Sequence, residues 1–188
     1  MERFIQVTVD GVATGSIYGA LALALVLIFR STGVVNFAQG EMAMFTTFVA
    51  WSLNHHMSYW PAFLLTLVLA FAGGVAIERL VIRPVENASP LTLIMVTIAL
   101  FVILNGLASW IWGGETRNFP SPFSGVVEIG GVTLSKHELG VIAVTLIVLA
   151  LLWTFFRYTR LGLAMRSAAI GPTTSRLLGV RVGWMLAL

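Results

Sequence analysis

Gly33-Val-Val-Asn-Phe-Ala-Gln-Gly-Glu-Met-Ala-Met44 breaks the apolar pattern of this chain. It sets Asn36, Gln39 and Glu41 between two long apolar runs. Polar groups in hydrocarbon cost several kcal/mol unless they find partners or line a wet cavity, which makes them candidates for a functional site. A plainer reading competes. Asn36 with Gln39 three positions on is a variant of a helix capping box, and Glu41 suits the positive first turn of a helix. On that reading the stretch is only a helix start at the water interface.

The flanking apolar runs weigh between the two. The 188 residues are 58% hydrophobic and 10% charged, with a mean hydropathy of +0.94. Soluble domains carry about 25% charged residues, so the composition predicts an all-α integral membrane protein. Upstream, a first helix is predicted over about Ile5 to Phe29, long enough for the ~20 residues of a membrane span. Downstream, the uninterrupted apolar run covers only about Met42 to Leu53. A second span must therefore take Val34 to Glu41 to membrane depth or be a broken helix, and irregular backbone survives at depth only inside protein or along a cavity. This favours the functional reading.

Further helices are expected over about Pro61 to Ile77, Leu91 to Trp112 and Glu138 to Phe156. Ser89-Pro90 reads as an N-cap followed by proline at the first helical position. Pro84 marks a polar turn, because it cannot continue a helix. Between the last two helices, residues 113–137 form a long loop in which a hairpin is predicted over Gly130-Gly131. Residues 157–181 are polar and basic, and Val182 to Leu188 reads as the start of a sixth helix. The expectation is a polytopic bundle of about five transmembrane helices, a single domain, incomplete at its C-terminus.

Charge predicts the orientation. Arg30, Arg79, Arg83, Arg157, Arg160, Arg166, Arg176 and Arg181 fall on one side, leaving Arg3, Arg117 and Lys136 on the other, 8 against 3 of the 11 cations. Cytoplasmic loops carry the excess of Lys and Arg, so the N-terminus is predicted outside, with 113–137 extracytoplasmic and 157–181 cytoplasmic. The net charge of +3 does not predict nucleic-acid binding, since one lysine and scattered arginines form no basic stripe.

Other chemistries find no support. There is no cysteine, no Gly-x-x-x-x-Gly-Lys-Ser/Thr, no Gly-x-Ser-x-Gly and no His-Glu-x-x-His. The adjacent His55 and His56 lack a third ligand nearby, so no metal is expected. Nor does the sequence display paired intramembrane carboxylates; Asp10, near the outer end of the first helix, reads as an interfacial cap. The chain is predicted to be a transport protein without catalytic residues. Gly11, Gly15 and Gly19 place two GxxxG spacings on one face of the first helix, a surface for close helix packing. Thr97 and Asn105, polar residues in the fourth helix, join Asn36, Gln39 and Glu41 as candidates for a solute path.

Gly15-Ser-Ile-Tyr-Gly-Ala-Leu-Ala-Leu and Thr32-Gly-Val-Val-Asn-Phe-Ala-Gln-Gly-Glu41 carry a resemblance, continued by Arg83-Pro-Val, Thr97-Ile-Ala-Leu100 and Leu161-Gly-Leu-Ala-Met-Arg166 through Leu178-Gly-Val180. Together they resemble the permease subunits of branched-chain amino-acid ABC importers of the LivH type. The resemblance implies a longer protein, of which this chain would be about the N-terminal two-thirds, in a bacterial inner membrane. It implies a second membrane permease subunit, cytoplasmic ATP-binding subunits and a periplasmic substrate-binding protein as partners. ATP would be used by those partners, with no cofactor on this chain. A short cytoplasmic coupling helix maps to about Leu161 to Val180, with Gly162, Arg166, Arg176 and Gly179 as its candidate ATPase-coupling residues. The rival reading is an ATP-independent channel or secondary transporter for small polar solutes such as urea or amides.

Overall fold

The computed structural model describes residues 2–123, 125–129 and 132–170. Their contacts cluster into two units, one made by residues 2–24 and 120–170, the other by 25–119. Helix α1, Glu2–Thr32, runs through the boundary. It ends where Gly33 takes φ +72°, a left-handed conformation open to glycine at little cost, and the Gly33 N–H closes the helix on the Phe29 carbonyl at 2.8 Å.

The second unit is a three-helix cluster. After an irregular stretch over 33–38 come α2 (Gln39–Asn54), α3 (Tyr59–Ile77) and α4 (Pro90–Trp112). Both α3 and α4 pack on α2. Ser89 caps α4 as its sequence predicts: its Oγ accepts from the Thr92 N–H at 3.3 Å, and Pro90 fills the first position, where no donor is needed. The core is Ala38, Leu100 and Leu104, with Met42, Phe45 and Ile77 packed around it.

The polar turn expected at Pro84 has a more regular form. Past Ile77 the chain keeps winding, as a π turn over Glu78–Ile82 and a 3-10 turn over Arg83–Val85. Pro84 has no N–H to donate, and the helix meets it by changing hydrogen-bond register rather than by stopping.

The first unit, taken by itself, contains the hairpin β1 (Val126–Ile129) and β2 (Val132–Ser135), α5 (Lys136–Tyr158) and α6 (Arg160–Ile170). The strands pair antiparallel with Ile129 opposite Val132, the register of a two-residue connection. Ser135 caps α5 through its Oγ. Thr159 ends α5 and caps α6, its Oγ accepting from the Gly162 N–H at 2.9 Å.

Four helical segments among the described residues are long and apolar enough to cross a bilayer: 3–30, 59–85, 90–112 and 136–158. The chain is thus a polytopic helical membrane protein, with four such segments where about five were expected. The difference is α2. Its 16 residues rise about 24 Å, short of the ~30 Å hydrocarbon core. Residues 34–38, needed to complete a fifth span, are not helical. The expected start of a sixth helix at 182–188 lies outside the described residues.

Candidate functional site

The irregular stretch before α2 is fixed from within. Ala38 has no exposed surface and sits against Leu100 and Leu104. These leucines are near the middle of α4, so the break in regular backbone is level with the centre of a membrane-length helix. Non-helical backbone at such a level occurs where it is enclosed by protein or lines a cavity.

Local hydrogen bonds explain how the break is held. The Asn36 Oδ1 accepts from the Ala38 N–H at 3.0 Å, and the Gln39 N–H reaches the Asn36 carbonyl at 3.3 Å. Asn36 thereby forms an Asx-type turn in which its side chain substitutes for backbone. The capping box read from Asn36 and Gln39 does not form: Ala38 occupies the N-cap position of α2, with no side-chain cap. The Asn36 Nδ2 lies 3.9 Å from the Met42 sulfur. Gln39 is the first residue of α2 and half-buried.

Glu41 follows in the first turn. Its Oε2 accepts a hydrogen bond at 3.3 Å from the Nδ2 of Asn105 on α4. Two of the five candidates for a solute path are thus brought together from positions far apart in the chain. Thr97 is placed otherwise. It is buried, and its hydroxyl bonds back to the Ile94 carbonyl of its own helix at 2.9 Å. That is the local bond by which a helical threonine satisfies itself, and it leaves no free donor toward a path.

Beyond this pair, α2, α4 and the segment after α4 border a cleft of about 450 Å³. Met44, Thr47, Phe48 and Trp51 line it from α2, Asn105, Ala108 and Ser109 from α4, and 113–117 with Phe119 from the following segment. Trp112 locks the two helices beside it. Its indole N–H donates to the Ser52 Oγ at 2.7 Å, and its ring stacks on Phe48 with centroids 5.3 Å apart and meets Phe45 edge-on at 5.2 Å. Arg117 lies over the Trp51 ring, 5.3 Å from its centroid, and donates to the Trp112 carbonyl at 3.1 Å. No periodicity marks Arg117 as a site residue, since it stands in an irregular segment; the cleft becomes visible only once α2 and α4 are paired.

Two acidic residues also gain a place that the sequence did not give them. In the first unit the carboxyl groups of Asp10 and Glu138 lie beside one another, Glu138 in the first turn of α5. Glu78, at the start of the π turn, has a buried Oε2 without a hydrogen-bond partner among the described residues.

The glycine face of α1 is open. A Cβ added at Gly11, Gly15 or Gly19 would meet nothing within 4 Å. The covered stripe of α1 runs instead through Asp10, Ala13, Ser16 and Ala20, offset from the glycines. On α6, Gly162 is buried and Arg166 exposed. A Cβ at Gly162 would fall on the Phe155 carbonyl oxygen and 2.6 Å from the Phe156 Cα, so the tight elbow from α5 into α6 depends on glycine. Arg176 and Gly179 lie outside the described residues. Among the described residues no three potential metal ligands come together.

A family model described as the permease component of the branched-chain amino acid transport system matches residues 7–188. The curated relatives include the high-affinity branched-chain amino acid transport system permease protein LivH of Escherichia coli K12, 28% identical over 98% of this chain. LivH of Salmonella typhimurium is 27% identical over the same share, and the permease protein BraD of Pseudomonas aeruginosa 26% over 99%. The chain spans 65% of the length of the LivH relatives and 66% of BraD. No solved structure matches it.

Proposed function

The chain belongs to the family of branched-chain amino acid transport permeases, and on that premise we propose that it is a membrane subunit of an ATP-driven importer for branched-chain amino acids in the bacterial inner membrane. It pairs with a second permease subunit, couples to cytoplasmic ATPases and receives its cargo from an extracytoplasmic binding protein. It has no ATPase of its own, and its role is to switch between outward- and inward-open states as its partners hydrolyse ATP. The charge asymmetry supports an outside N-terminus, with 113–137 outside and α6 in the cytoplasm.

One observation carries the placement of the path: the polar break before α2 is level with the middle of α4, and Glu41 there meets Asn105. Broken helices near mid-membrane offer half-helix N-termini to anionic groups. The cargo's carboxylate is received by the first N–H groups of α2, and its ammonium by Glu41, with Asn105 releasing the carboxylate as the cargo arrives. Asn36 and Gln39 hold this turn in shape. On α6, Arg166 presents positive charge to the ATPase from a helix that Gly162 sets close to α5. The names of the relatives, which place them in transport systems, favour this reading over an autonomous channel or secondary transporter.

Uptake of labelled leucine into vesicles tests it. Transport should require ATP and the partner subunits, and Glu41→Gln should lower the rate while leaving assembly intact. Full uptake by Glu41→Gln would remove Glu41 from the path, and ATP-independent uptake by this chain alone would overturn the importer reading.

A further inference from the structure

The cleft between α2, α4 and the segment after α4 combines three recognition elements. Its volume of about 450 Å³ suits a small molecule, since ligand clefts run from about 300 to 1,000 Å³. Met44, Phe48 and Ala108 make part of its wall apolar. Glu115 is the one carboxylate of the lining, and Arg117 its one cation. The guanidinium is positioned from two sides, by the Trp51 face and by the Trp112 carbonyl at 3.1 Å. That carbonyl belongs to the last turn of α4, where no intrahelical partner is available. Arginine carries more donors than this contact uses, in a planar fork that matches a carboxylate.

We infer that this cleft is a resting site for the cargo amino acid, in which Arg117 receives the carboxylate, Glu115 faces the ammonium, and Met44, Phe48 and Ala108 surround the aliphatic side chain. The inference rests on the importer reading and adds a station that it does not contain. Asn105 belongs both to the cleft lining and to the hydrogen bond with Glu41, so cargo leaving the cleft meets the polar break next. On α2, Glu41 and Trp51 are about 15 Å apart along the axis, too far for one zwitterion to touch Arg117 and Glu41 together. The two are therefore successive stations. A hydrated patch that merely latches the 113–119 segment would have no preference for a ligand carrying both charges.

The absence of cysteine allows a direct test. Ser109→Cys places a single thiol in the cleft, and Thr47→Cys a second, independent one on the facing helix. Vesicles holding the transport complex are first assayed sealed for ATP-driven leucine accumulation. They are then permeabilised and labelled with anionic and cationic methanethiosulfonates of similar size. Leucine should slow the labelling of both thiols, and leucinamide, which lacks the carboxylate, should not. In the Arg117→Gln background the leucine concentration for half-protection should rise about tenfold or more, as expected for loss of a charge-assisted hydrogen bond, and the preference for the anionic reagent should fall. Vesicles that accumulate leucine but show no protection at either thiol would overturn the resting site and leave the importer reading standing. So would protection unchanged by Arg117→Gln. Failure to accumulate leucine at all would overturn both.

Discussion

Replacing Gly162 by alanine sets two effects of known size against each other. Within a helix, Gly→Ala is worth about 1 kcal/mol of stabilisation through backbone entropy. Here the new Cβ falls on the Phe155 carbonyl oxygen and 2.6 Å from the Phe156 Cα. Both are backbone atoms of α5, which cannot rotate aside as a side-chain end can. Overpacking of this kind costs about 1–3 kcal/mol, and opening the elbow to relieve it also strains the bond from the Gly162 N–H to Thr159, a cap worth about 1 kcal/mol. The cost exceeds the gain, leaving a net loss of about 2 kcal/mol, or roughly a 30-fold larger open population of the α5–α6 elbow. Arg160, the first residue of α6, provides the assay, because tryptic cleavage tracks the open population when opening and closing are fast. Cleavage after Arg160 in detergent-solubilised protein should accelerate more than tenfold in Gly162→Ala. Gly140→Ala is the internal control. The atoms nearest its added Cβ belong to the Phe123 ring, so relief there takes a side-chain shift rather than a backbone one, and its effect on cleavage after Arg160 should be the smaller. A Gly162→Ala protein cleaved no faster than the parent would refute the steric reasoning.

Gly15 has free space around it, so Gly15→Ala should raise the thermal stability of the isolated chain slightly, whereas Gly15→Leu should prevent co-purification of the second permease subunit if that subunit packs on the glycine face. Co-purification at parental yield would exclude this face as the interface. In a double-mutant cycle of Trp112→Phe and Ser52→Ala, denaturation in detergent should report a coupling of about 1 kcal/mol for the indole–hydroxyl bond; strictly additive losses would show that the bond contributes nothing. Asn36→Ala removes the acceptor for the Ala38 N–H and should cost about 1 kcal/mol of stability, measurable by the same denaturation, with a smaller effect on uptake than Glu41→Gln. Charge reversal at Arg166 should weaken ATPase retention in pull-downs, and full retention would count against α6 as the coupling element.

Much of this architecture is legible in sequence because membrane helices announce themselves by length and apolarity. The starts of α4 and α5 show the same local logic, with Ser89 and Ser135 each capping the helix that follows. The shortness of α2 could be read from the apolar run beginning at Met42. What escaped was everything that depends on pairing across the chain. Glu41 and Asn105 stand 64 positions apart, and their separate patterns give no hint that they meet. Asp10 and Glu138 are farther apart still. Thr97 was hard to place for the opposite reason: a helical threonine has a partner one turn back whatever lies across from it. Asn36 and Gln39 fit a capping pattern in spacing, yet the chain uses the Asn36 side chain one step earlier, to turn the backbone into Ala38. The π turn at Glu78 was illegible because hydrogen-bond register is not a property of composition, although Pro84 supplied its cause.

The buried methyl of Ala38 has a consequence for how this region can change. It is the smallest apolar side chain, and around it Leu100 and Leu104 leave no exposed surface. A closely packed site of this kind penalises even one added methylene. Position 38 is therefore constrained by volume, whereas Glu41, one turn on, is free of that constraint and answers to chemistry. On the proposed path, selection for a new cargo would act on the second position and leave the first untouched. In a library randomised across residues 36–41, survivors should keep a small residue at 38 whatever they carry at 41.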